Sequence, residues 1–140
     1  RDMNTRDTRD TPLNVLLDTH VALWAITDSP QLSPKARDML LGARSHLWVS
    51  TASLWEIAIK HSLGRGAMPV SGGEALGYFR QAGYGILPIE PEHAVAVEQL
   101  ASHHQDPFDR LLVAQALTEP MRLLTHDERV ASYSDTIILI

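Results

Sequence analysis

Short apolar runs alternate along this chain with longer stretches in which apolar residues recur every three or four positions. The short runs lie at 13–17, 46–50, 85–89, 121–124 and 136–140, and their length and composition predict strands. Between them the helical spacing predicts helices over 19–27, 34–43, 51–63, 73–82, 91–102 and 106–118, with a helical turn at 127–131. The punctuation agrees. Ser33-Pro34 is an N-cap followed by proline at the first helical position. Gly64 and Gly66 close the third helix, and the glycines and proline of 64–73 make a loop. Each crossover is long enough for a right-handed parallel unit. The expected fold class is therefore α/β, a parallel sheet of four to five strands with helices on both faces. The strands read as continuous apolar runs, as strands covered on both sides should.

Residues 1–12 are polar and aperiodic and are expected to form a flexible N-terminal arm, leaving 13–140 as a single domain. The chain has 140 residues, 44% of them hydrophobic, which is enough for one core without staples. It has no cysteine, so disulfides, a thiolate nucleophile and a Cys-ligated metal are excluded. That suits a cytoplasmic protein. The longest apolar run is Val21 to Ile26, too short to span a membrane, and no signal-peptide h-region is seen near the start. The net charge of −5 denies the chain a general basic coat. It leaves open a local basic rim around an acidic metal site.

Open parallel sheets build their sites at the carboxyl ends of the strands. There the acids fall. Asp18 follows the first strand, Glu56 rides the helix after the second, Asp127 follows the fourth, and Asp106-Pro107-Phe108-Asp109 opens the helix before the fourth. Each acid also has a plain structural reading. Asp18 and Asp106 are placed to cap helices, and Thr125-x-x-Glu128 has the form of a capping box around Asp127. Glu56 has Lys60 one turn on as a surface partner. On the helical wheel Leu54, Ile57, Ala58 and His61 share one side, and Glu56 with Lys60 falls on the other. Asp109 is different, because it heads the same face as Leu112, Val113 and Ala116, where a carboxylate is costly unless paired or bound to a metal. Capping explains each acid singly but not why four gather at one sheet edge. Gathered carboxylates repel, and a hard divalent cation relieves the repulsion. Carboxylates without cysteine suit Mg2+, with Mn2+ as alternative, and such sites serve phosphoryl or phosphodiester transfer.

Four segments then resemble, in order and spacing, the motifs of PIN domains: Val15 to Trp24 around Asp18, Val49 to Lys60 around Glu56, Asp106 to Ala116 around Asp109, and Leu123 to Asp127. The nearest branch is the VapC-like toxins of type II toxin–antitoxin pairs. The resemblance implies a three-layer α/β/α PIN fold and a metal-dependent endoribonuclease. It makes Asp18, Glu56, Asp109 and Asp127 the catalytic, metal-binding quartet, with Asp106 and Thr125 secondary and Thr19 a possible hydrogen-bonding partner of a carboxylate. It further implies an RNA substrate, a cognate antitoxin and a homodimer. The polar arm before Leu13 departs from the family pattern.

Lys60, Arg65 and Arg110 are candidates to hold RNA phosphates, though ordinary solvated charge is as good a reading. Of the seven histidines, His20, His104 and His126 lie near the acids in sequence; structural or solvent-exposed roles are the better expectation for them. Trp24, Trp48 and Trp55 read as core or interface. Two other functions compete. One is a phosphatase or phosphotransferase with Asp18 as nucleophile, weakened by His20 where the usual pattern has a second aspartate. The other is an inactive PIN scaffold serving as a binding module.

Overall fold

A computed structural model describes residues 13–42, 45–64 and 67–140; the polar arm and Arg65 lie outside the described residues. The chain runs β1 (Leu13–Leu17), α1 (Thr19–Ile26), α2 (Pro34–Leu41), β2 (Ser45–Ser50), α3 (Thr51–Ser62), α4 (Gly72–Gln81), β3 (Gly85–Leu87), α5 (Pro91–Ala96), a 3-10 turn (Val97–Gln99), α6 (Pro107–Thr118), β4 (Arg122–Thr125), α7 (Glu128–Ala131) and β5 (Ile138–Leu139). The five strands pair in parallel in the order β3-β2-β1-β4-β5. Successive crossovers run outward from β1 to one edge through β2 and β3, then return to fill its other side with β4 and β5. The carboxyl end of β1 is therefore the topological switch point, where such sheets leave a crevice.

Side-chain alternation along β1 divides the interior. Val15 and Leu17 point into one layer with Val21 and Ala22 of α1, Ala36 of α2, and Ala75 and Phe79 of α4. Leu16 points into the other with Leu112, Val113 and Ala116 of α6 and Val130 of α7. Helix α3 sits at the seam: Ile57 belongs to the first layer and Ala52 to the second. Gly72 opens α4 against α3, and a Cβ there would lie 2.9 Å from that of Ala58, so this position keeps the two helices close.

The helices begin where the sequence supplies caps. Asp18, Ser33, Ser50, Ser71, Asp106 and Asp127 each accept a backbone amide of the helix that follows. Several elements are shorter than the sequence predicts, among them the fifth strand, expected over 136–140 and formed only by Ile138–Leu139. The third strand stops at Leu87, since Pro88 has no N–H for the ladder. The helix expected over 91–102 ends at Ala96 and tightens into the 3-10 turn, whose Val97 carbonyl accepts the Leu100 amide; the carbonyls of Val97, Ala101 and His104 also accept the Arg110 guanidinium. Among the described residues no helix is long and apolar enough to cross a membrane.

Candidate active site

Asp18 is the residue at which β1 turns into α1, and it does two things at once. Its Oδ1 accepts the Val21 amide at 2.8 Å, which caps the helix. Its Oδ2 accepts the Thr125 hydroxyl at 2.5 Å. The carboxylate is only 5% exposed, and burial pushes its pKa up against the pull of these two hydrogen bonds. Thr125 is the last residue of β4, not the N-cap of α7 that a Thr-x-x-Glu box requires. Its hydroxyl donates across the sheet to Asp18 and accepts the Asp127 amide at 3.0 Å. Asp127 is the cap instead, accepting the Arg129 amide at 2.8 Å. Partial burial opposes its charge, but the hydrogen bonds and charge of Arg129 hold its carboxyl below the usual range.

Glu56 corrects the helical-wheel reading. It is not on a surface face opposite the core: it is 4% exposed, and α3 buries Ala52, Ser53, Glu56 and Ile57. The wheel follows hydropathy, whereas α3 turns this polar face toward α1 at the crevice. The Thr19 hydroxyl lies 2.8 Å from Glu56 Oε1, to which it donates, and 2.8 Å from the Ser53 hydroxyl. Lys60 Nζ donates to Oε2 at 2.6 Å. The pairing with Lys60 is as the spacing predicts, but it neutralises a buried acid.

Asp109 stands in the first turn of α6, on the inward stripe that ends in Leu112, Val113 and Ala116. Asp106 caps that helix, its Oδ1 accepting the amides of Phe108 at 2.8 Å and Asp109 at 3.1 Å. The pKa of Asp109 is pushed up to about 7, first by burial and then by the charges of Asp106, Asp18, Glu56 and Asp127. Its neighbours are thus the acids that the sequence pointed to. They do not all meet at one point. Asp109 and Asp127, together with His104, place ligand atoms within 4.8 Å of one another. Asp18 and Glu56 lie outside that group, drawn back by Val21 and Thr125 and by Thr19 and Lys60.

His104 is the site residue that sequence reasoning set aside. It is buried, with Nε2 at 2.9 Å from Asp109 Oδ2 and 3.3 Å from Asp127 Oδ2. The signal available was its place two residues before a helix cap whose helix carries an inward acid. Arg110, by contrast, is no free phosphate ligand. Its guanidinium donates to the carbonyls of Val97, Ala101 and His104 and to the Tyr133 hydroxyl. Beside the acids, a cleft of about 710 Å³ is lined by Asp18, His20, Trp24, His126, Asp127 and Arg129. Trp24 meets the His126 ring edge-on at 5.2 Å there, so it belongs to the cleft wall as well as to the core margin.

A five-stranded parallel sheet with buried acids at the carboxyl end of its central strand is the setting in which the comparisons with known proteins fall. The sequence model of the PIN domain matches residues 15–135. This chain belongs to the PIN domain family. A PIN relative, Ribonuclease VapC22 of Mycobacterium tuberculosis, is 33% identical over 126 residues, covering 85% of this chain and 91% of its own. Among solved structures, VapBC2 from Rickettsia felis bound to a DNA fragment from its promoter matches with a TM-score of 0.66 at 17% identity, over 91% of this chain and 98% of the other. A toxin–antitoxin complex from Klebsiella pneumoniae matches with a TM-score of 0.61 at 13% identity, over 89% and 95%. These two likenesses show the fold: the three-layer α/β/α arrangement of PIN domains, as the sequence predicts.

Proposed function

We propose that this PIN domain is the toxin of a toxin–antitoxin pair, a Mg2+- or Mn2+-dependent endoribonuclease that hydrolyses RNA phosphodiester bonds and is held inactive by a cognate antitoxin. The observation that carries the proposal is the gathering of carboxylates around Asp109 at the carboxyl edge of the sheet. Asp109 and Asp127 place carboxylate oxygens within 4.8 Å of each other and of His104, and burial first, then the charges of Asp106, Asp18, Glu56 and Asp127, push the Asp109 pKa up to about 7, a cluster that a cation would relieve. The relative VapC22 is a ribonuclease by name, and a toxin–antitoxin complex is among the folds matched.

The donor set fits a hard cation. It is carboxylate oxygen without sulfur, and each oxygen that already accepts one hydrogen bond keeps a second lone pair. Asp109 and Asp127 would hold the ion, with Asp18 and Glu56 completing the quartet. When bound, a divalent cation supplies polarisation of the phosphodiester and acidifies water. The chain supplies the rest. Thr125 fixes Asp18 and Asp127 relative to each other by bonding to both. Thr19 and Lys60 keep Glu56 oriented as a carboxylate able to align water or take up a proton. Lys60 is about one-third exposed, so its ammonium is also open to a phosphate. The cleft with Trp24, His126 and Arg129 offers the adjoining path for an RNA strand. Asp18 as a covalent nucleophile is disfavoured, since both its oxygens are engaged by the chain and its carboxylate is almost wholly covered.

The test uses metal-stripped, antitoxin-free chain with total cellular RNA and with tRNA, with and without Mg2+ or Mn2+, beside Asp18→Asn. Discrete cuts that require metal and vanish in the variant are expected. Metal binding without cuts on any RNA, even in chain that arrests growth, would redirect the substrate assignment. Neither cuts nor metal binding would leave a PIN-shaped binding module.

A further inference from the structure

We infer that His104 is a positioning residue of the acidic centre: its buried Nε2–H edge stands against both Asp109 and Asp127 and, through the partial positive charge of that edge rather than a hydrogen bond, draws the two carboxylates together as a pair for the cation, without ligating it. The inference rests on the metal-dependent reading above and deepens it by fixing the chemistry of the donor set.

His104 is 8% exposed, and its Nε2 is shut off from water with no aligned hydrogen-bond partner. Yet that nitrogen stands 2.9 Å from Asp109 Oδ2 and 3.3 Å from Asp127 Oδ2. The N–H lines up with neither oxygen, so it makes no hydrogen bond to them; what it offers both at close range is the partial positive charge of the ring edge. The ring is held there by its backbone. The His104 amide donates to the Tyr133 hydroxyl at 2.9 Å, and its carbonyl accepts from Arg110 at 3.3 Å. The third contact decides the tautomer. The Asp106 amide donates to Nδ1 at 3.2 Å, which requires a lone pair on Nδ1 and puts the ring proton on Nε2. A histidine that binds metal through Nε2 has the reverse arrangement, with an Nδ1–H donated outward. The nitrogen therefore faces the carboxylates with its N–H and not with a lone pair. It counters their mutual repulsion before metal arrives and leaves the cation an all-oxygen site.

The test compares the full chain, freed of antitoxin and metal, with His104→Gln and His104→Asn. Glutamine carries an N–H at about the reach of Nε2. Asparagine keeps an acceptor for the Asp106 amide but falls short of the carboxylates. Calorimetry with Mn2+ should show His104→Asn binding roughly ten- to a hundredfold more weakly and His104→Gln within about threefold of the parent chain. Pulsed electron paramagnetic resonance of the Mn2+-loaded parent should show no imidazole nitrogen coupling. Such a coupling, lost in His104→Asn, would make His104 a ligand and overturn the inference. Unchanged affinity in His104→Asn, or equal weakening in both variants, would also overturn it. If His104→Asn fails to fold, His104→Gln and the nitrogen coupling still decide. Failure of the parent chain to bind Mn2+ at all would overturn the metal-dependent reading and this inference with it; the other results leave that reading standing.

Discussion

Asp109 links charge to stability in a direction that can be worked out. Its folded pKa of about 7 lies above an unfolded value of roughly 3.9, so between those limits the folded state binds more protons. The resulting stability is fully present below about pH 4 and is lost as pH rises through about 7. The rise corresponds to at most about 4 kcal/mol, for a side chain that is 24% exposed. Asp109→Asn should therefore melt several degrees above the parent chain at pH 8 with metal chelated, and the gap should close toward pH 4. A gap that does not change with pH would mean that repulsion is not its source. The same variant should abolish metal-dependent cleavage. Thr125→Val removes a donor to Asp18 and an acceptor for the Asp127 amide, at a cost of about 1–3 kcal/mol. Melting temperature and Mn2+ affinity should fall together, and Thr125→Ser should restore both.

Among the elements, the segment between α5 and α6 is the least regular and the most dependent on one side chain. Arg110 gathers three carbonyls and a tyrosine hydroxyl of this segment and its neighbour, and so fixes the backbone that presents His104. Arg110→Ala should cost about 1–3 kcal/mol and several degrees of melting temperature, while leaving the salt dependence of RNA binding unchanged. A smaller salt slope would instead return Arg110 to the phosphate-binding role. On the far side of α6, Gln115 ties the helix to the end of β2 by accepting the Ser50 hydroxyl at 2.5 Å and lies 3.3 Å from buried His93. The helix that carries Asp109 is thus anchored by polar contacts on both flanks, which limits how far the acids can spread under repulsion.

For the molecule as a whole, the acidic centre stores unfavourable charge that metal should release. Mn2+ at about a hundred times its dissociation constant should stabilise the folded chain by about 2.7 kcal/mol, read as a rise of several degrees in melting temperature. Asp18→Asn and Asp109→Asn should each lose most of that rise, since each removes a charged member of the site. On the ribonuclease reading proposed above, a net charge of −5 would leave RNA binding to local groups around the cleft, not to a general basic field.

The alternation of apolar runs with helical periodicity determined the α/β class, because strands covered on both faces must be apolar throughout, and the crossover lengths made the sheet parallel. Strand ends followed by Asp18 and Asp127, and Asp109 on an apolar stripe, were legible because chain position alone puts them at the carboxyl edge of the sheet. The strand order was not legible; it comes from pairing between residues far apart in sequence. Nor was the burial of Glu56, since the wheel weighs hydropathy while α3 packs its polar face against Thr19. His104 and Arg110 were decided only by tertiary structure. A histidine in an irregular segment has no periodicity to betray its direction, and an arginine's partners there are carbonyls whose freedom depends on where a helix stops. Local pattern fixes which residues can reach the crevice, and three-dimensional packing decides which carboxylates meet and what nitrogen stands between them.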